Sequence, residues 1–165
     1  MYKVGIIGPE STGKSTLATY LARRYGGVLV PEYAREYMER LAPTNTYTYE
    51  DVVTIAEQQV NFLHKLHAAI LNANLESHED VVFFDTELII TKVWFMHKFG
   101  KCPNFLLEAI AQYPMDVYLL CYPDMVWQPD PVRENPNIRE FLFDWYEREI
   151  QELGIPYYII RHSDL

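Results

Sequence analysis

The stretch Gly8-Pro9-Glu10-Ser11-Thr12-Gly13-Lys14-Ser15 decides the fold. It satisfies G-x-x-x-x-G-K-[ST], follows a short apolar run at residues 3–7 and precedes a segment with helical spacing, the context a phosphate-binding P-loop (Walker A) requires. Its two glycines let the loop curl without Cβ clashes, so successive N–H groups turn inward as an anion nest. A helix beginning near Lys14 adds the positive end of its dipole. Gly8, Ser11, Thr12, Gly13, Lys14, Ser15 and Thr16 are therefore expected to hold nucleotide phosphates. Lys14 would reach the β- and γ-phosphates, and the Ser15 hydroxyl would ligate Mg²⁺. ATP and Mg²⁺ are the expected cofactors.

Outward from this loop the chain alternates between strand-like and helical runs. Strands are predicted at residues 3–7, 28–30, 81–84, 117–121 and 157–160, and helices at 14–25, 32–41, 49–75, 87–99, 104–113 and 138–153. On residues 14–25, Leu17, Leu21 and Tyr25 share one face. On the long helix, Val52, Ile55, Ala56, Val60, Leu63, Leu66 and Ile70 keep the 3.6 period. Residues 43–48 are predicted as a loop, with Thr48 as N-cap and acids in the first turn after it. Val81-Val82-Phe83-Phe84 is continuously apolar, as a strand buried on both faces of a parallel sheet must be. Strands alternating with helices imply an α/β fold with a mostly parallel sheet and helices on both faces.

Length and composition bound the rest. At 165 residues the chain is the size of one domain, 1–165, and buries roughly 68–70% of its unfolded surface. Hydrophobic residues make up 49% and charged residues 22%, which excludes disordered and fibrous classes. The net charge of −9 makes it a poor general binder of phosphate backbones, so no nucleic-acid partner is expected and any anion site must be local. Cys102 and Cys121, the only cysteines, form no CxxC pair and are expected as reduced, buried thiols. No run reaches 18 apolar residues and the N-terminus is too short for a signal peptide. No membrane partner is therefore expected, and the expected compartment is the cytoplasm. The sequence assigns no oligomeric state.

A P-loop protein needs a carboxylate near its metal. Asp85 ends the apolar third strand, where packing gives an acid no reason to sit; this suits a Walker B role, with Ser15 and Asp85 as the metal pair. Asp85 is also placed to cap the next helix. Ligands of open α/β sheets lie beyond the carboxyl ends of the strands, and the second strand ends there in Pro31-Glu32-Tyr33-Ala34-Arg35-Glu36-Tyr37. Glu32 could take the proton of an acceptor hydroxyl, and so could Asp85. Arg35 could hold the acceptor or a phosphate, and Tyr33 and Tyr37 offer flat apolar surface. Residues 123–137, rich in Pro and Asp, are expected as an irregular lid. Trp127 there would face the acceptor, and Arg133, with Arg139 as second candidate, would stabilise the transferring phosphoryl group. His64 and His67 lack a metal frame and are expected to be structural.

Taken in order, GPESTGKSTL at 8–17, EYAREY at 32–37, FDTE at 84–87 and the Asp130/Arg133 lid resemble the kinase domain of bacterial NadR-type proteins, over nearly the whole chain. The resemblance implies a P-loop kinase with strand order 2-3-1-4-5. It further implies ATP-dependent phosphorylation of the 5′-hydroxyl of nicotinamide riboside, a small nucleoside-like acceptor, to nicotinamide mononucleotide. Two features depart from the family. Pro31 stands where the family has an aromatic residue that stacks on the nicotinamide ring, which leaves another nucleoside as an alternative acceptor. The chain also opens directly on the kinase strand and stops soon after the fifth, so the adenylyltransferase and DNA-binding parts, and a closing helix, are expected to be missing. A non-kinase P-loop ATPase or nucleotide-binding module is the remaining alternative.

Overall fold

The computed structural model describes residues 1–41, 46–72 and 80–162. Five parallel strands form one sheet: β1 (Tyr2–Ile7), β2 (Val28–Val30), β3 (Val81–Asp85), β4 (Val117–Cys121) and β5 (Tyr157–Ile160), in the order β2-β3-β1-β4-β5. The helices are α1 (Lys14–Tyr25), α2 (Tyr33–Leu41), α3 (Tyr49–Asn72), α4 (Leu88–Phe99), α5 (Asn104–Gln112) and α6 (Arg139–Leu153). Each strand and helix agrees with expectation to within a few residues. The expected end of the long helix at 73–75 lies outside the described residues, as does the first half, 43–45, of the expected loop at 43–48.

Strand alternation sorts the core into two layers. Val4 and Ile6 of β1, Phe83 of β3 and Val117 and Cys121 of β4 face α1, meeting Leu17, Ala18 and Ala22. Ile7, Val82, Phe84, Tyr118 and Leu120 face the opposite way, where α3, α4, α5 and α6 contribute Val52, Ile89, Phe95, Leu106 and Ile150. Burying such side chains contributes roughly 1.5–3 kcal/mol each, which makes the thicker layer the main support of the sheet. Thr48 caps α3 as expected: its Oγ1 accepts from Asp51 N at 3.3 Å, while Asp51 Oδ2 accepts from Thr48 N at 2.8 Å.

Register places the site. Ile6 pairs with Asp85 and Val30 with Phe84, so β1, β2 and β3 finish at one level. The residues that follow, Gly8, Glu32 and Thr86, emerge together on the carboxyl edge of the sheet.

Candidate active site

The loop from Gly8 to Ser15 leaves β1 and enters α1 as its sequence requires. Gly13 stands at the helix N-cap with φ +81°, a left-handed conformation that glycine adopts without cost. A Cβ on Gly8 would lie 2.7 Å from the carbonyl oxygen of Cys121, so the loop needs glycine there to pass β4. Thr12 Oγ1 and Lys14 Nζ both donate to Pro9 O at 2.8 Å, which holds the turn from inside. A cavity of about 210 Å³ is lined by the loop from Glu10 to Thr16 together with Glu32, Arg35 and the lid residues Gln128 and Arg133.

Ser15 Oγ donates to Asp85 Oδ2 at 2.6 Å. Asp85 is 5% exposed, and its other oxygen, Oδ1, has no partner among the described residues. A buried carboxylate oxygen without a hydrogen bond costs free energy unless something else completes it. A hydroxyl beside a carboxylate is the hard-oxygen set that Mg²⁺ takes in nucleotide sites, where phosphates and water fill the remaining positions. Asp85 does not cap α4: the cap is Glu87, whose Oε1 accepts from Ile89 N at 2.8 Å. Asp85 therefore has no duty at the helix end.

Residues 122–138 are irregular and lie across the P-loop. Glu10 accepts from Glu134 N and, at 2.9 Å, Asn135 N. Ser11 Oγ accepts from Gln128 N at 3.0 Å, and Arg139 donates to Ser11 O at 3.2 Å and Met125 O at 2.9 Å. On the other flank Arg35 pairs with Asp130 at 2.9 Å. Burial under this strap pushes the Glu10 carboxyl above its ordinary range, against the pull of the two lid N–H groups. Arg133 lines the phosphate-side cavity and donates to Gln128 O at 2.5 Å. Trp127 lines neither the phosphate-side cavity nor the two that adjoin it: its ring lies 5.8 Å from the Arg139 guanidinium, which it helps to seat.

Two further cavities adjoin the phosphate side. One, about 230 Å³, runs from Gly8 and Lys14 past Glu32 to Trp94, Met38 and Tyr146. The other, about 540 Å³, lies between α2, α3 and the ends of β2 and β3, with Pro31, Tyr33, Phe62, Phe84 and Glu87 among its walls. Glu32, Arg35 and Thr86 line both, so the two meet there. Desolvation raises the Glu32 carboxyl above its usual range; neighbouring Asp85 adds to this and the Lys14 ammonium opposes it. That combination makes Glu32 a stronger base than an exposed carboxylate. Tyr37 is turned away, donating to Asp51 at 2.8 Å. His64 bonds the Tyr113 hydroxyl, the structural role expected of it.

Thr86, Glu87, Glu10 and Trp94 are site residues that sequence reasoning missed. Thr86 has φ +71°, a genuine outlier for a β-branched residue, and its buried Oγ1 has no partner among the described residues. Among the described residues, no helix is long and apolar enough to cross a membrane. Nor do three or more His, Cys, Asp or Glu gather into a metal cluster among them.

Comparison with known proteins agrees with this geometry. The trifunctional NAD biosynthesis/regulator protein NadR of Escherichia coli is 25% identical over 130 residues, 79% of this chain and 30% of the relative. The chain thus matches under a third of that protein's length. A crystal structure of NadR protein in complex with NR superposes with TM-score 0.74 at 25% identity, covering 96% of this chain and 43% of the other. A second NadR structure, with NAD and AMP-PNP, gives 0.73 at 23% identity, covering 99% and 45%. The fold also matches deoxyadenosine kinase from M. mycoides, with TM-score 0.56 at 13% identity, covering 99% and 91%. Residues 3–165 match the AAA domain family, and with its P-loop, its 2-3-1-4-5 parallel sheet and its NadR relatives the chain belongs to that family of P-loop proteins.

Proposed function

We propose that the protein is an ATP- and Mg²⁺-dependent small-molecule kinase that phosphorylates the 5′-hydroxyl of nicotinamide riboside. One observation carries the reading: Glu32 borders the phosphate cavity and both adjoining cavities, so an acceptor hydroxyl beside it faces the γ-phosphate position. The NadR relatives supply the choice of acceptor.

Phosphoryl transfer needs alignment and charge neutralisation more than covalent chemistry. The P-loop amides and Lys14 grip the donor phosphates. Ser15 Oγ and Asp85 would hold Mg²⁺, which neutralises charge on the phosphate oxygens when bound. Glu32 accepts the proton of the acceptor hydroxyl, while Asp85 is committed to Ser15. Residues 123–137 would serve as the lid that excludes water, and Arg133, which lines the phosphate-side cavity, would stabilise the transferring group from that side. Pro31, in the wall of the larger cavity, favours a second reading, another nucleoside as acceptor.

The test is a product assay with ATP, Mg²⁺ and nicotinamide riboside, read by mass, beside a nucleoside panel. Formation of nicotinamide mononucleotide is expected. Phosphorylation of a pyrimidine nucleoside without phosphorylation of nicotinamide riboside rejects the first acceptor in favour of the second reading.

A further inference from the structure

The sheet ends in two edge strands, β2 and β5, and they differ. An edge strand offers its outward N–H and C=O groups to any chain that can extend the sheet. Proteins blunt such edges with a charge, a proline or a very short strand. β2 is blunted: it has three residues and runs straight into Pro31 and Glu32. β5, Tyr157-Tyr158-Ile159-Ile160, contains no charge, proline or glycine, in a chain of net charge −9.

The register with β4 shows which groups face outward. Tyr118 N donates to Pro156 O at 3.0 Å and Tyr122 N to Ile160 O at 2.8 Å, with Tyr118 beside Tyr157 and Leu120 beside Ile159. In a parallel ladder this turns the main-chain groups of Tyr158 and Ile160 toward β4 and those of Tyr157 and Ile159 away from it. Among the described residues no strand pairs with that outer side. The side chains leave the edge open. Tyr157 leans back to α6, its hydroxyl accepting from Gln151 Nε2 at 2.9 Å. Ile160 belongs to the α1-side layer, so Tyr158, two residues before it, faces the same side, where it is 66% exposed. Ile159 faces the other side and is 39% exposed.

We propose that β5 is an interface for a second copy of this chain, the two β5 strands pairing antiparallel about a two-fold axis at Tyr158 and joining the two sheets into one. Strand and symmetry fit each other. With Tyr158 opposite the partner's Tyr158, Tyr157 falls opposite the partner's Ile159 and Ile159 opposite the partner's Tyr157. Every outward N–H and C=O group of those residues then has a mate. The two Tyr158 rings meet as a non-hydrogen-bonded pair, where side chains approach closest and aromatic pairs are favourable. A strand without charge brings no like charges together at the seam, which matters when both copies are strongly acidic. The isologous arrangement also needs no strand from any other source. Four residues span only about 13 Å, so the contact is smaller than a standard interface and the expected Kd is on the order of 10–100 µM.

The test is sedimentation velocity of the full chain from about 1 to about 500 µM, with amide hydrogen exchange at both ends of that range. A dimer is expected to form as concentration rises, and the Tyr157 and Ile159 amides to slow with it. A monomer throughout overturns the proposal, as does a dimer in which those two amides exchange as fast as in dilute solution. Tyr158→Lys and Tyr158→Glu should each weaken association about tenfold or more by placing like charges opposite one another. An equimolar mixture of the two variants should regain it, because unlike charges then face each other. Undiminished association of either variant alone, or a mixture that stays monomeric, overturns the axis at Tyr158. The exchange measurement uses the unaltered protein, so it does not depend on how the variants fold.

Discussion

Glu87→Gln should stabilise the protein above neutral pH, by an amount the structure lets one work out. The carboxyl sits at the N-cap of α4 with Ile89 N donating to it, and burial lifts it from 4.5 to about 7. A raised acid binds its proton more tightly folded than unfolded. Between about pH 4.5 and 7 the unfolded chain has released that proton and the folded one has not, so stability falls as pH rises through this window. Above pH 7 the loss is complete. From 4.5 to about 7, at ~1.4 kcal/mol per pH unit, the loss is about 3 to 4 kcal/mol. Glutamine keeps the cap, since its carbonyl accepts from Ile89 N and its amide can donate to the Tyr118 oxygen. Urea unfolding of both proteins at pH 5, 6, 7 and 8 checks this. The variant should gain on the wild type from pH 5 to pH 8, approaching about 3 kcal/mol. A stability difference that stays flat over this range, or one that moves against the variant, refutes the assignment of a buried, proton-holding carboxyl to Glu87.

Four other outcomes follow from the site. Lys14→Ala should lower turnover by about 10²–10³, as loss of one strong transition-state donor does, and undiminished turnover in a steady-state assay rejects its role. Glu32→Gln should lower kcat by about 10²–10⁴ and flatten the acidic limb of the pH–rate profile; an unchanged limb moves the base elsewhere. Glu10→Ala frees the lid N–H groups of Glu134 and Asn135, so proteolysis within 123–137 should quicken and KM for ATP should rise. An unchanged cleavage rate there means the strap is held by its other contacts. In a double-mutant cycle, Arg35→Ala and Asp130→Ala should show a coupling of about 1 kcal/mol or less, because both side chains are partly exposed and the pair is screened by solvent.

The sheet and its helices were legible because each element carries its own period. The P-loop spacing fixed the first turn, and apolar continuity in Val81–Phe84 announced a buried strand. Glu32 and Asp85 were legible for a related reason: an acid at the end of an apolar strand has little structural cause to be there. Thr86 and Glu87 were not, because their importance arises from the register of β3 against β1 and β2 and from the space left by α3, neither of which is encoded locally. Trp127 was expected to face the acceptor from its place in an irregular segment, yet it packs against Arg139, twelve residues along the chain, a contact no local pattern announces. Glu10, a variable position of the P-loop motif, gained its role only when the lid folded back onto it.

Arg35 borders all three cavities and also grips the lid through Asp130. A guanidinium shared in this way cannot respond to one visitor alone. Whatever either substrate does to its orientation, the other will feel, and thermodynamic reciprocity obliges the two effects on affinity to be equal. The protein should therefore bind the occupants of these cavities as a coupled pair, and Arg35→Ala should weaken the effect of each on the other.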